Sequence, residues 1–289
     1  VVRAALSIAL CVLAARAQAQ QSAPGQSALA DSITRPFIPG GHWLPATGIA
    51  GSTAAQPTVA GSLALPLMSP DGVPYFAPPN GMLLRPGAFV YQLSLHRDTM
   101  TMAMGVRTVT VTEAMLGGVA SWLIAESRTG TAVQTSDSLY LRRADLTPER
   151  WTATIGRAQL AVSFTPDSMF AAVQDYQGRG SLSAAVPPGA LISSGMIDRL
   201  IEMLPLAPGY RVAATVVQIE SGAPRAVPAT ISVEGEEGVA LSDATVPCWI
   251  VVLRGETAEK RFWVTKDAAR VVKSEQWTRG GVLTELVER

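Results

Sequence analysis

Phe89-Val90-Tyr91-Gln92-Leu93-Ser94-Leu95-His96 sets Phe89, Tyr91, Leu93 and Leu95 at every second position. A period of two sends alternate side chains to opposite faces of a strand. The same texture runs downstream. Residues Thr99 to Thr112 alternate Met with Thr, break at Gly105, then alternate Val with Arg or Thr. Short runs bounded by Gly, Pro, Asp or Ser follow at 120–126, 138–141, 151–155, 159–164, 168–173 and 181–186. They resume at 210–219, 226–234, 239–241, 248–253, 260–264, 270–275 and 283–287. Many short strands with hairpin-length links predict a mostly β domain, a long antiparallel meander bent into a curved sheet or half-barrel.

One segment has a different period. After Ser193-Ser194 come Met196, Ile197, Leu200, Ile201 and Leu204, with Asp198 in the first turn and Pro205 behind. The serines are suited to cap a helix and the proline to end it, so the spacing predicts one helix over 193–204. Its apolar residues cover most of the circumference, leaving Asp198, Arg199 and Glu202 as a polar strip, and it should pack on the sheet. The β texture on its two sides is related. Ser121-Trp122-Leu123-Ile124 is followed by Arg128, Gly130 and Leu139-Tyr140-Leu141; Cys248-Trp249-Ile250-Val251 is followed by Arg254, Gly255 and Phe262-Trp263-Val264. A single β domain over 87–289 is expected, built as two units, about 87–186 and 206–289, around the helix.

Upstream the composition changes. Residues 20–86 are poor in charge and rich in Ala, Gly, Pro, Ser and Gln, with prolines recurring without period. Proline fixes φ and removes a donor, so a linker is expected, with Phe37-Ile38, Leu63 to Met68 and Tyr75-Phe76 as short apolar pieces able to dock on the domain. Residues 1–19 carry Arg3, a short apolar run and Ala17-Gln18-Ala19, the three parts of a secretory signal. The run is shorter than a membrane span. The protein is therefore expected to be exported to the periplasm or beyond the cell, with no transmembrane segment after cleavage. Cys11 lies inside the apolar run, behind a large Leu10, so it reads as a small apolar residue rather than a lipid anchor.

Charge narrows the partners. The chain carries 23 Lys and Arg against 23 Asp and Glu, without a basic cluster, which argues against nucleic acid. Cys248 would be the only cysteine left after cleavage, so the fold must stand on its hydrophobic core.

The closing stretch carries a resemblance. Thr245-Val246-Pro247-Cys248-Trp249-Ile250-Val251-Val252-Leu253, then Lys260-Arg261-Phe262-Trp263-Val264, then Arg270-Val271-Val272-Lys273-Ser274-Glu275 resembles an exported bacterial family of unknown function, the domain of unknown function 3108 family. The layout is also similar to the periplasmic lipoprotein carriers, LolA- and LolB-like half-barrels. That resemblance implies a curved antiparallel sheet lined by apolar residues and capped by helix. Its motifs are structural rather than catalytic.

No catalytic, metal or cofactor signature stands out. His42 falls in the linker, and His96 lies on a strand face with Gln92 and Ser94, side by side rather than aimed at a partner. Cys248 alternates with Ile250 and Val252 and reads as a buried thiol. Glu234, Glu236 and Glu237, broken by Gly235 and Gly238, read as a solvated hairpin turn. The methionines suggest more. Met100, Met102 and Met104 share one strand face, and Met196 and Met203 lie on the helix. Methionine suits adaptable apolar surfaces. The expected ligand wall is Met100, Met102, Met104, Met196, Leu200 and Met203, with Trp122 and Trp249. The favoured reading is a non-enzymatic exported domain binding an apolar molecule such as a lipid or acyl chain, or a partner protein. A structural or accessory module of an envelope assembly is the alternative, and a hydrolase the least supported.

Overall fold

The computed structural model describes residues 68–288 except 131–133, 176–177, 188, 193–195, 221–222, 243, 257 and 279. The expected signal at 1–19 with Cys11, the linker up to residue 67 with His42, and the serines expected to cap the helix lie outside the described residues.

The chain first forms eight strands: β1 (Gly87–Arg97), β2 (Met100–Leu116), β3 (Val119–Thr129), β4 (Thr135–Arg142), β5 (Pro148–Ile155), β6 (Ala158–Phe164), β7 (Ser168–Asp175) and β8 (Gly178–Ala185). A two-residue strand β9 (Leu191–Ile192) and the helix α1 (Met196–Ile201) follow. The rest is β10 (Arg211–Glu220), β11 (Ala223–Leu241), β12 (Ala244–Gly255), β13 (Glu259–Thr265), β14 (Val271–Thr278) and β15 (Gly281–Glu288). All fifteen strands join one curved, mostly antiparallel sheet. Two meanders run outward from a central β1–β15 pair, in which Tyr91 faces Val287 and Leu95 faces Leu283. The sheet curls until edge strand β8 comes against β11. The fold class is the one that the alternation predicts.

Local chemistry explains the turns and bends. Gly117 and Gly118, with φ of 56° and 86°, make the two-residue β2–β3 turn whose twist matches the strands. The break in alternation at Gly105 is a β-bulge, where the β1–β2 register shifts between Leu93 and Ser94. Gly105 has a φ of 111°, and a Cβ there would run into the Thr129 carbonyl oxygen.

The edge of β10 is covered in two ways. β9 pairs with Val216 and Val217 in parallel. Beside it, the Phe76 amide donates to the Ala213 carbonyl at 2.6 Å, and the Ala213 amide to the Pro74 carbonyl at 2.8 Å. The segment before β1 is thus a strap across the sheet edge, with Phe76 and Leu84 in the core and a 3-10 turn at Gly81–Leu83.

Three expectations need correction. The strands expected at 226–234 and 239–241 are one strand, β11, and Glu234, Glu236 and Glu237 lie within it rather than on a turn. A register shift between Val233 and Gly235 absorbs the irregularity, and each carboxylate has a partner: Arg254 for Glu234, Lys266 for Glu236 and the Trp263 indole N–H for Glu237. The helix is only six residues, with looser turns continuing to Leu204. Its polar strip does not face water: Asp198 and Arg199 are each 1% exposed. They can be buried because the sheet supplies their counter-charges.

The main core fills the concave face around α1, from Trp122, Ile124, Leu139 and Met169 on one side to Ile231, Val251 and Phe262 on the other. A smaller cluster of Val239, Cys248, Trp263 and Val272 packs on the opposite face. Cys248 is fully buried there, and burial pushes its thiol up to about 11, so it is a poor nucleophile at neutral pH.

Candidate functional site

At one end of the sheet the β4–β5 and β6–β7 turns, the end of β2, the β8–β9 link and the strap surround a cleft of about 470 Å³. Met196 and Leu200 of α1 line it, together with Phe76, Leu146, Phe164 and Leu191. Its charged side chains all come from one stretch, Arg142 through Glu149. The cleft thus has an apolar interior and one polar wall, the usual make-up of a small-molecule site, and it falls within their typical size of roughly 300–1,000 Å³.

The opposite side of α1 meets a layer of buried charge. Arg107 of β2 is 1% exposed. Its Nη1 donates to Asp198 Oδ2 at 2.6 Å and to Glu285 Oε2 of β15 at 2.8 Å, and its Nη2 to Glu126 Oε2 of β3 at 2.8 Å. Lys260 of β13 lies 3.4 Å from Asp198 and 3.6 Å from Glu285, and Ser274 of β14 donates to Glu285 at 3.0 Å. Arg128 pairs with Glu126 at 2.9 Å and with Glu285 at 3.3 Å. Three cations thus meet three carboxylates from four strands and the helix, with Ser274 of a fifth strand beside them. Arg199 completes the attachment: it donates to the Tyr91 hydroxyl at 2.6 Å, lies 3.9 Å from the Phe89 ring centroid, and pairs with Glu202 at 2.8 Å. Helix α1 therefore presents Met196 and Leu200 to the cleft while its charged residues fasten it to the sheet.

The electrostatics follow from this geometry. Burial opposes charge on Asp198, but Arg107 and then Lys260 outweigh it and hold its carboxyl below the ordinary range. Glu126 and Glu285 are held low against burial in the same way, each by Arg107 first. Two carboxyls go the other way. Burial, and then the charge on Glu126, push Asp137 of β4 up to about 8, and burial pushes Glu202 up to about 7 despite Arg199.

These directions give opposite pH dependences. The low carboxyls stabilise the fold above their unfolded pKa of roughly 4, and that stabilisation is lost as pH falls through their folded values. Asp137 keeps its proton in the folded state up to about 8, whereas the unfolded chain releases it near ~4. Between those values the folded state binds more protons, so Asp137 makes stability fall as pH rises. An Asp137→Asn variant should therefore gain on the parent chain between pH 5 and pH 8, as read from urea midpoints at both values. An equal offset at both would show that Asp137 is not a buried acid.

Of the residues expected to form a ligand wall, Met196 and Leu200 line the cleft. Met203 and Trp249 are half-buried against the main core, and Trp122 is buried within it. Met100 and Met102 lie near the β1–β2 turn, 65% and 44% exposed, and Met104 is half-buried. The three strand methionines do not join α1 at the cleft, because they lie at the start of β2, whereas the cleft is lined by Leu116 at its other end. His96 is exposed, its Nδ1 3.0 Å from Thr101 Oγ1. The charged layer was not anticipated, although the sequence carried its signal. Arg107 is in phase with Val109 and Val111, Glu126 with Trp122 and Ile124, and Glu285 with Leu283 and Val287. A charge in phase with an apolar strand face is a charge destined for the interior.

Among the described residues no helix is long and apolar enough to cross a membrane. None of their His, Cys, Asp and Glu side chains group in threes to hold a metal ion. No curated protein matches the sequence. Solved structures similar to it include the β-barrel-like protein of domain of unknown function DUF1849 from Brucella abortus, at 8% identity over 71% of this chain and 97% of that one, with a TM-score of 0.47. They also include the hypothetical lipoprotein YmcC from Escherichia coli K12, at 13% identity over 71% of this chain and 88% of that one, with a TM-score of 0.30. Residues 90–276 match the family described as "Protein of unknown function (DUF3108)", and the chain belongs to that family.

Proposed function

We propose that this member of the DUF3108 family is an exported, non-enzymatic binding domain whose cleft holds an apolar molecule, a lipid or single acyl chain. One observation carries the reading: Phe76, Leu146, Phe164, Met196 and Leu200 converge on one cleft of about 470 Å³. Such a surface gains about 25 cal/mol for each Å² of apolar area that a ligand covers. The signal pattern at 1–19 supports export, to the periplasm or beyond.

The test uses a neutral apolar fluorophore, N-phenyl-1-naphthylamine, titrated into the full chain. The parent chain should bind it, and Phe164→Asp should weaken binding by roughly ten-fold or more, because a carboxylate would then face the ligand. Phe164 is half-buried and packs on the main core, so the thermal midpoint should fall as well, and binding is compared well below the midpoint of both proteins. Equal binding by both proteins would place the ligand elsewhere. No binding by the parent chain would leave the alternative, an accessory module of an envelope assembly that contacts a partner protein.

A further inference from the structure

Resting on that reading of the cleft, we propose that its occupant is a single-chain amphiphile with a positively charged, amine-bearing head. The cleft is asymmetric in charge as well as polarity. Its apolar residues come from all the elements around it, Leu146 of the β4–β5 turn among them, while among the described residues the charged side chains lining it, Arg142, Asp145 and Glu149, sit together at that one turn. An elongated ligand with its tail against Met196 and Leu200 therefore brings its head to the β4–β5 turn.

That turn carries one cation and two carboxylates, and the cation is engaged. Arg142 Nη1 donates to Asp145 Oδ2 at 3.3 Å, and its Nε lies 3.8 Å from Glu149 Oε1. The other local donors are also committed: the Thr147 amide to Asp145 Oδ1 at 3.0 Å, and the Ser121 hydroxyl to Glu149 Oε2 at 2.7 Å. What remains for an incoming head is the surplus negative charge and the unfilled lone pairs of two carboxylates, each of which can accept several hydrogen bonds. A protonated amine supplies both the charge and the donors. A fatty-acid carboxylate or a phosphate would have to share Arg142 with two carboxylates already beside it and then sit next to those like charges. Glu149 is the better placed carboxylate, because its side chain is only 15% exposed and its field is less screened than that of Asp145.

Competition among three ligands of equal chain length tests this. Dodecylamine, dodecanol and dodecanoate, each below its micellar concentration, displace N-phenyl-1-naphthylamine from the full chain. The expected order is amine, alcohol, carboxylate, with the amine ahead of the carboxylate by roughly ten-fold at low salt and by less as salt is added. In the Asp145→Asn/Glu149→Gln double variant the amine-to-carboxylate ratio should fall to about one. The single variant Asp145→Asn, in an exposed turn, should narrow it part of the way and guards against a folding defect in the double variant. A carboxylate that competes as well as the amine, or a ratio unchanged in both variants, overturns the proposal while leaving the apolar cleft in place. Failure of the probe to bind at all overturns the cleft reading itself, and this inference with it.

Discussion

Replacing Arg107 with leucine is expected to cost about 3–5 kcal/mol of folding stability, the range for removing one partner from a buried ion cluster. That is a large fraction of the ~5–15 kcal/mol that a domain has in total. The guanidinium bridges Asp198, Glu285 and Glu126 with three contacts of 2.6–2.8 Å, and all three carboxylates are at least nine-tenths buried. Without it the cations left in direct contact with them are Lys260 and Arg128, and both stand toward the margin, 20% and 32% exposed. Lysine at position 107 should recover little, since one ammonium cannot reproduce the forked geometry. The mechanism has a pH signature. In the parent chain these carboxyls are held low, so stability falls with acidification. In the variant burial acts unopposed by Arg107, the carboxyls bind protons more readily in the folded state, and the deficit should shrink as pH is lowered. Urea unfolding at pH 7 and pH 4.5 reads both effects. A deficit that is constant with pH would assign the loss to packing alone.

The cluster also shows what a whole-layer replacement would do. Replacing Arg107, Arg128, Lys260, Glu126, Asp198 and Glu285 together by apolar side chains of similar volume relieves several desolvation costs at once and can be close to neutral. The arrangement therefore speaks less for raw stability than for position. A helix of six residues is too short to hold itself. Apolar packing alone would let α1 slide over the sheet, whereas Asp198 and Arg199 each reach fixed partners on named strands. Because Met196 and Leu200 lie on that same helix, the charged layer sets where their side of the cleft sits.

Alternation was enough to predict the strands because nearly every one is buried on a single face, the condition under which a period of two is clean. The failures have physical causes. β11 was read as two strands because Gly235, Glu236, Glu237 and Gly238 look like a turn, yet cross-strand partners on β12 and β13 hold them in the ladder. β9 is two residues long, below any periodic signal. Asp198 and Arg199 were read only as a polar strip because a helix viewed alone cannot show that a sheet behind it offers Arg107, Lys260 and Tyr91. The cleft is less legible still. It is assembled from residues as distant as Phe76, Phe164 and Leu200, and no local pattern links a strap, a turn and a helix.

The strap provides the second large effect. Trp122 is 2% exposed in the main core, its indole N–H donates to the Gly81 carbonyl at 2.8 Å, and the Arg143 guanidinium lies 5.2 Å from its ring centroid. It is therefore both a core residue of β3 and the anchor of the 3-10 turn at Gly81–Leu83. That turn has little room to shift, since Gly81 is buried and a Cβ there would collide with the Arg143 carbonyl. A Trp122→Ala variant should lose about 3–5 kcal/mol, the range for truncating a buried aromatic, and should leave the Gly81 carbonyl without its donor. Trp122→Phe separates the two contributions: it keeps most of the packing and loses the hydrogen bond, for a cost nearer ~1 kcal/mol. Limited proteolysis locates the effect. In the alanine variant cleavage within 77–86 should appear under conditions where the rest of the domain resists, because the strap loses its tie before the sheet unfolds. Trp249 supplies the contrast. It stands in the Cys248-Trp249-Ile250-Val251 run, which is similar in sequence to Ser121-Trp122-Leu123-Ile124, but it is only half-buried, with Lys266 4.0 Å from its ring centroid. Trp249→Ala should cost clearly less and leave the 77–86 cleavage pattern unchanged. Equal losses at the two tryptophans, with no change in cleavage, would mean that Trp122 acts only as core and that the strap is held by Phe76 and Leu84.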